Sequence, residues 1–283
     1  MNTTITQSPI GENQFGFDTF TRMVHETMGV CIPQTKRHMI EARLANRVRV
    51  LGLRNSQDYF RHLFVDGGLS AEMVHIEETV TTNKTDFFRE IDHFHYLRDV
   101  VLPNSARRAG PGKFKAWSAA ASNGAESFTI AMILAEHALA YPGFDWAVLG
   151  TDISNRVLEH ARRAIYSENV VAPVPGALRS RYLHEGQNEW QGKFRIAPVL
   201  RNRVRFKKLN LIDDVYTVDL NLDIIFLRNV LIYFDPEDQL AVLRRIGQHL
   251  APGGHLFVGH SESMVVRMPQ FSQVAPAIYR KDP

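Results

Sequence analysis

The first third of the chain repeats apolar residues at three- and four-residue spacing. The spacing covers residues 17–28, 39–51, 59–65 and 73–80, with breaks at Pro33, Gly52, Gly67 and Gly68. Apolar positions with this period, interrupted by glycine and proline, predict short amphipathic helices that pack together. We therefore predict an all-helical N-terminal domain over residues 17–85, preceded by a flexible polar tail at 1–16.

The rest of the chain alternates apolar runs of strand length with amphipathic stretches. The runs lie at 114–119, 146–152, 223–234 and 255–260, and the helical patterns at 125–140, 155–165 and 237–250. This alternation predicts an α/β domain, a doubly wound and mostly parallel sheet covered by helices. We assign it to residues 113–283, joined to the helical domain by a linker and connecting helix at 86–112. The interval 167–203, with two short β-like pieces, is predicted to be a small antiparallel β insertion.

Composition narrows the class of protein. A chain of 283 residues with 45% hydrophobic and 22% charged side chains is typical of a globular protein. Its net charge of +3 does not indicate a particular class of partner. Cys31 is the sole cysteine, which excludes an intrachain disulfide and a Cys-rich zinc site. No apolar run reaches the roughly 18 residues of a membrane span, and no signal peptide is evident, so we expect a cytoplasmic protein. HExxH and GxSxG are both absent, so zinc-hydrolase and α/β-hydrolase chemistry is not supported.

Small residues fill the turn that follows the first predicted strand. The segment WSAAASNGAES (117–127) has Gly124 in this turn and Glu126 at the start of the next helix. Asp152 ends the second strand, where a carboxylate either accepts hydrogen bonds from ribose hydroxyls or caps the following helix. No P-loop motif is present. The turn and the acid together indicate an adenosine held through its sugar.

Polar residues also end the predicted strand FLRNVLIYFD. Arg228 and Asn229 either satisfy local backbone groups or face a ligand, because buried polar groups require partners. We favour the ligand, because ligands bind at the carboxyl ends of parallel strands. Tyr233 either faces a ligand or is an aromatic residue of the core with its hydroxyl at the rim.

The segment TTNKTDFFRE (81–90) combines the turn residues Asn83 and Thr85 with an apolar pair and Arg89. An arginine held rigidly by packing suits the orientation of a carboxylate. The alternative is a solvated arginine at the start of a helix.

The predicted helix at 36–52 is basic. Lys36, Arg43 and Arg47 share one face, and Arg49 lies to the side. Such a face is either solvated or docks an acidic partner. The helix has no aromatic residue for base stacking, so an acidic protein surface fits at least as well as nucleic acid.

Five segments in order, TTNKTDFFRE, AWSAAASNGAES, GTDIS, KLNL and FLRNVLIYFD, precede GGHLFVGHSES. Together they resemble the CheR-type chemotaxis receptor methyltransferases over about residues 17–280. The resemblance implies an S-adenosylmethionine-dependent protein-glutamate O-methyltransferase. It would form methyl esters on the cytoplasmic helical bundle of a chemoreceptor, as a monomer that binds no nucleic acid and no metal. One departure is visible, because the family's Gly-Glu-Glu reads Gly124-Ala125-Glu126 here.

The resemblance also implies roles for individual residues. The cofactor S-adenosylmethionine would be bound by Asn83, Thr85, Arg89, Glu126, Asp152, Asn210, Leu211, Arg228 and Asn229. Arg89 and Tyr233 would be catalytic, and Lys36, Arg43, Arg47 and Arg49 would dock the receptor. In some members the β insertion tethers a receptor's C-terminal tail, and the loop 184–192 has room for that role.

Two other readings remain open from the sequence. The first is a catalytically silent relative that binds S-adenosylmethionine as a sensor or scaffold. Retention of Arg89, Asp152, Asn229 and Tyr233 argues against it. The second is an RNA or DNA methyltransferase, which the lack of an aromatic-basic stripe and of an NPPY-like motif argues against.

Overall fold

The structure is a computed structural model that describes residues 15–81, 84–105 and 112–282. The chain divides after Thr81 into two compact units. The predicted cofactor contact Asn83 and nearly all of the predicted tail lie outside the described residues. Within the described part of the chain, every helix is too short or too polar to cross a membrane.

The N-terminal unit is built from helices. They are α1 (Phe17–Met28), α2 (Arg37–Val50), α3 (Ser56–Phe64) and α4 (Leu69–Val80), with a 3₁₀ turn at Gln34–Lys36 before α2. Helix α1 ends at Gly29, whose left-handed φ of 69° lets its N–H bond to the carbonyl of His25. Phe20, Leu44 and Phe60 are fully buried in the core that these helices enclose.

The C-terminal unit begins with a helical stretch and continues as a sheet covered by helices. The stretch comprises α5 (Ile91–Tyr96), a π-helical turn (Leu97–Val101) and α6 (Leu102–Ser105). The strands of the main sheet are β1 (Phe114–Ser118), β2 (Trp146–Asp152), β6 (Val204–Lys208), β7 (Leu222–Leu227), β8 (Leu250–Val258), β9 (Phe271–Ala275) and β10 (Ile278–Lys281). Its main helices are α7 (Ala125–Ala140), α8 (Asn155–Arg163) and α12 (Pro236–His249).

The seven-stranded sheet has the order β6-β2-β1-β7-β8-β10-β9. Its pairs are parallel except those of β10, which runs antiparallel to both β8 and β9. Strands β1 and β7 are central, and their apolar residues pack under helices, as the uninterrupted apolar runs predict. Phe226 of β7 stacks on Phe257 of β8 with ring centroids 4.3 Å apart. The predicted mostly parallel α/β architecture is confirmed.

The β insertion is a separate three-stranded antiparallel sheet of order β3-β5-β4. Its strands are β3 (Ile165–Ser167), β4 (Leu183–Glu185) and β5 (Lys193–Ile196). Short helices α9 (Glu168–Val171) and α10 (Gly176–Tyr182) lie between the first two strands, and α11 (Pro198–Arg201) follows the third. The sequence predicted two β-like pieces, and the third strand is the three-residue β3 at the insertion's start.

The apolar run at 223–234 was predicted to be one strand, and the structure differs from this prediction. Strand β7 ends at Leu227, and a 3₁₀ turn occupies Leu231–Tyr233. Between them, Asn229 adopts a left-handed φ of 56°, which breaks the extended conformation. The run therefore supplies a strand, a strained corner and a turn.

Candidate active site

The turn after β1 forms the floor of the site. The N–H of Ala119 bonds to the carbonyl of Phe226, and the N–H of Ala121 bonds to the carbonyl of Thr151, each at 2.8 Å. These bonds tie the turn to both neighbouring strands. Gly124 ends it at φ 89°, where a Cβ would lie 2.8 Å from the Cβ of Ala161. Only glycine therefore fits this corner.

Asp152 stands at the carboxyl end of β2 and is 9% exposed. Its Oδ2 accepts the N–H of Ser122 at 2.9 Å, and its Oδ1 accepts the N–H of Ser154 at 3.0 Å. The N-cap residue of α8 is Ser154. Two backbone donors thus fix the carboxylate between the turn after β1 and the start of α8.

Arg228, at the end of β7, is the centre of a buried ionic group. Its side chain is 2% exposed; Nη1 lies 3.0 Å from Oε2 of Glu126, and Nη2 lies 3.2 Å from Oε2 of Glu90. Nη2 also donates to the main-chain carbonyl of Arg89 at 2.5 Å. We call Glu90, Glu126 and Arg228 the Arg228 cluster. It connects β7, α7 and the segment before α5.

The two carboxylates of the Arg228 cluster have different electrostatic environments. Burial raises the pKa of Glu126, and the charge of Arg228 only partly offsets this. Burial acts in the same direction on Glu90, but Arg228 and the amide of Asn229 together hold the pKa of Glu90 below its usual range. Ser118 supplies a further donor to Oε1 of Glu126 at 2.7 Å.

Backbone strain concentrates around Arg89. Phe88 and Glu90, on either side of it, have positive φ angles of 55° and 56°. Non-glycine residues in this region cost roughly 1 kcal/mol or more and persist where surrounding contacts hold them. The N–H of Phe88 donates to Thr129 Oγ1 at 3.3 Å, and Arg228 holds the carbonyl of Arg89. The anchored turn leaves the Arg89 side chain exposed, with Nη1 donating to the carbonyl of Lys84 at 3.2 Å.

The other predicted site residues lie at the ends of neighbouring elements. Asn210 follows β6 and accepts the N–H of Ile212 at 3.2 Å, while Leu211 is buried. Tyr233 ends the 3₁₀ turn after β7 and is half-buried, as is Thr85 before the strained turn. Arg228 thus contacts Glu126 and the carbonyl of Arg89 directly, and Asn229 joins them through Glu90. Asp152 and Asn210 belong to the adjacent β2 and β6.

Several residues of the site were not predicted. Glu90 bonds to Arg228 and Asn229 although it is only the final letter of the quoted motif, and Glu262 accepts the N–H of Asn229 at 2.8 Å. His93 is 1% exposed, and burial lowers its pKa to about 3. An acid directly after Arg89 was the available sequence signal for Glu90. Glu262 lies 33 residues from Asn229 in the sequence, and no local sequence pattern indicates a contact between the two.

The predicted docking residues of α2 and of the 3₁₀ turn before it have distinct environments. Lys36, Arg43 and Arg49 are exposed, and Arg43 donates to the carbonyl of Thr79 at 2.9 Å. Arg47 instead makes two bonds with Glu72, Nε to Oε2 at 2.7 Å and Nη2 to Oε1 at 2.6 Å. Glu72 is 1% exposed, so this pair ties the half-buried Arg47 side chain to the interior of the helical unit.

The donor set suits the predicted cofactor. A fixed carboxylate at the end of β2 matches ribose hydroxyls, and the acidic side chains of the Arg228 cluster match a ligand that carries an ammonium and a sulfonium charge. The seven-stranded sheet with one reversed strand beside its edge is the fold of S-adenosylmethionine-dependent methyltransferases. Fold and site therefore define a methyltransferase of this class.

Comparisons with known proteins identify the family. The model of the CheR methyltransferase all-alpha domain matches residues 16–81, and the model of the CheR methyltransferase SAM-binding domain matches residues 83–279. The chain belongs to the CheR methyltransferase family, and its cofactor is S-adenosylmethionine.

Curated relatives match at nearly full length. A chemotaxis protein methyltransferase of Escherichia coli is 37% identical, over 93% of this chain and 89% of the relative. Chemotaxis protein methyltransferase 2 of Pseudomonas aeruginosa is 34% identical over 98% of both chains. A chemotaxis protein methyltransferase of Borreliella burgdorferi is 32% identical over 92% of both.

Proposed function

We propose that this protein transfers the methyl group of S-adenosylmethionine to glutamate side chains of chemoreceptor cytoplasmic domains, for adaptation in chemotaxis. The relatives support the proposal through their name, chemotaxis protein methyltransferase, and through matches along nearly the whole chain. The structural observation that carries it is the exposed guanidinium of Arg89 on a strained, anchored turn. A guanidinium in that position is suited to hold a carboxylate acceptor.

The residue types of the site agree with methylation of a carboxylate. A glutamate side chain is an anion at neutral pH, so it needs no general base. The bound cofactor supplies a methyl group activated by a sulfonium charge. The protein aligns the acceptor and excludes water from it. Arg89 orients the carboxylate, and the hydroxyl of Tyr233 fixes its approach.

The proposed cofactor contacts follow the ends of the strands. Asn83, Thr85 and Arg89 would line the methionine end, and Glu126 would accept from its ammonium group. Asp152 would hold the ribose hydroxyls, Asn210 and Leu211 the adenine side, and Arg228 and Asn229 the remaining wall. Glu126 is already paired with Arg228, so a ligand ammonium would share this carboxylate. Sharing avoids the cost of leaving a buried anion without a partner before the ligand binds.

The receptor contacts are proposed for two surfaces. The exposed basic side chains of α2 and of the turn before it, namely Lys36, Arg43 and Arg49, suit an acidic stretch of a receptor bundle. Arg47, predicted with them, is bonded to Glu72 and would have to leave that pair to take part. The three-stranded sheet has β4 at one edge, and an extended receptor tail could pair with this edge near the loop 184–192.

A radiolabel assay tests the proposed activity. The protein is incubated with methyl-labelled S-adenosylmethionine and a purified receptor cytoplasmic fragment, and label is measured before and after mild base. We expect base-labile label, because carboxyl methyl esters hydrolyse readily, and mass spectrometry then locates the modified glutamates. A fragment with its methylatable glutamates replaced by alanine is the matched control.

Two outcomes contradict the proposal in different ways. Absence of label together with calorimetric heat from S-adenosylhomocysteine would identify a silent cofactor-binding relative. Base-stable label would indicate another acceptor atom. The first result changes the activity assigned to the protein, and the second changes the substrate class.

A further inference from the structure

Glu262 is fully buried, and its carboxylate joins two loops at the site. Oε2 accepts the N–H of Gly259 at 2.7 Å and the N–H of Asn229 at 2.8 Å. Oε1 accepts the N–H of Ile232 at 3.3 Å. One side chain therefore bonds to the loop that follows β8 and to the loop that follows β7, which contains the proposed site residues.

The loop after β7 is strained where Glu262 holds it. Asn229 has a φ of 56°, and its Nδ2 donates to Oε1 of Glu90 at 3.3 Å. A Cβ at Gly259 would lie 2.7 Å from both Nδ2 of Asn229 and Oε2 of Glu262. The contact between Glu262 and Asn229 therefore requires a residue without a side chain at position 259. Strain of this kind persists only with such support.

The third bond of Glu262 reaches the turn that contains Tyr233. Ile232 is the middle residue of the 3₁₀ turn Leu231–Tyr233, and its N–H is the group that Glu262 accepts. The turn's position relative to β7 is therefore tied to the same carboxylate that holds Asn229.

We propose that Glu262 is a positioning residue that holds Asn229 and Tyr233 in the arrangement required for methyl transfer. The inference rests on the proposed function for the role of Tyr233. Glu262 acts through backbone N–H groups, because each of its recorded contacts is with the backbone of these loops.

The variant Glu262→Gln tests this role with almost no change in volume. A carboxylate only accepts hydrogen bonds, whereas a carboxamide has an NH₂ group that must face at least one backbone N–H here. We expect kcat to fall about tenfold or more at saturating substrates, because small misplacements of reacting groups have effects of this size. Affinity for S-adenosylhomocysteine should weaken about threefold, the effect of one weakened hydrogen bond at Asn229, a proposed cofactor contact.

Asp223→Asn is the matched control. Asp223 lies at the opposite end of β7, and its Oδ2 accepts the N–H of Lys115 at 2.8 Å. The same chemical change there lies far from the strand's carboxyl end, and the amide oxygen can still accept this N–H. We expect kcat and S-adenosylhomocysteine affinity to stay unchanged.

A second variant, Gly259→Ala, keeps every polar group and pushes a methyl against Asn229 and Glu262. It should reproduce the loss of kcat, so the test survives if Glu262→Gln fails to fold. Normal kcat in the folded variants would overturn the inference, as would an equal loss of kcat in Asp223→Asn. If the wild type methylates no receptor fragment, the proposed function fails, and calorimetry with S-adenosylhomocysteine still tests the role of Glu262.

Discussion

Arg228 and Glu126 form an ion pair that is almost fully withdrawn from solvent. Nη1 and Oε2 are 3.0 Å apart, and the side chains are 2% and 12% exposed. Removal of one partner from such a pair leaves a buried charge and typically costs about 3–5 kcal/mol. The pair also supports the carbonyl of Arg89 through Nη2. It therefore connects stability of the C-terminal unit to the geometry of the proposed substrate site.

The variant Arg228→Met should lower the free energy of unfolding of the C-terminal unit by about 3 kcal/mol. Urea denaturation followed by tryptophan fluorescence measures this unit alone, because Trp117, Trp146 and Trp190 all lie in it. Adding Glu126→Gln should restore part of the loss, since the unpaired charge is then removed. Strict additivity of the two changes would contradict a direct coupling.

The variant Arg89→Ala should lower turnover by about two orders of magnitude or more, because the acceptor carboxylate loses the group that orients it. The fold should be unaffected, since the Arg89 side chain is exposed and its anchoring bond uses the main chain. Initial rates of label transfer measure the first effect, and circular dichroism measures the second. Near-normal rates in this variant would refute the assignment.

Much of the fold follows from local patterns. The predicted helices at 17–28 and 125–140 and the predicted strand at 146–152 agree with the structure at both ends. Each combines a clear apolar pattern with a glycine or small-residue boundary. Strand β6 (VRFKK) was not predicted, because an edge strand with a mostly polar sequence carries little hydrophobic signal.

The site was predictable only in part. Arg228 and Asn229 were identified because polar residues interrupt an apolar run, and the structure shows them in contact with acidic partners. Glu126 was predicted, but Glu90 and Glu262 were missed, since they lie 139 and 33 residues from Asn229. Tertiary folding brings such groups together, and a single sequence shows no pairing between them.

The variant Asp152→Asn should weaken binding of S-adenosylhomocysteine about tenfold or more, which corresponds to about 1.4 kcal/mol. The change replaces a charged acceptor by a carboxamide. The NH₂ group of this carboxamide must face the N–H of either Ser122 or Ser154. Calorimetry measures the affinity. The same change at the exposed Asp99, which pairs with Arg98, is the control and should leave binding intact. Equal affinities in all three proteins would exclude Asp152 as a ribose contact.

His93 should make stability fall in mild acid. Burial lowers its pKa in the folded state to about 3, and the unfolded value is 6.5. The unfolded chain therefore takes up a proton first as the pH drops below 6.5, and the folded state loses stability until the pH approaches 3. Between pH 6.5 and 5 the loss is about 2 kcal/mol.

The variant His93→Phe isolates this contribution. Phenylalanine does not titrate and can keep the packing of the ring against Phe257. The free energy of unfolding is measured at pH 7 and pH 5 by tryptophan fluorescence in urea. We expect the difference between the two values to be about 2 kcal/mol smaller in the variant than in the wild type. The same pH dependence in both proteins would show that His93 is not the group responsible.

The basic helix α2 calls for separate tests of docking and stability. Arg43 and Arg49 are exposed, so Arg43→Glu combined with Arg49→Glu should raise the Michaelis constant for a receptor fragment about tenfold and leave kcat unchanged. The difference from wild type should shrink at high salt, because exposed charges are screened. An unchanged Michaelis constant would exclude docking through these residues.

The variant Arg47→Ala is the control that separates an effect on stability from an effect on docking. Its bonds to Glu72, which is 1% exposed, hold the pKa of that carboxyl below its usual range. Because the folded-state pKa is lowered, this stabilisation is present above the unfolded value of 4.5 and is lost as the pH falls through the folded value. Arg47→Ala should therefore lower the melting temperature of the helical unit at pH 7 and reduce its sensitivity to acid. A normal melting temperature would leave Arg47 available for docking after all.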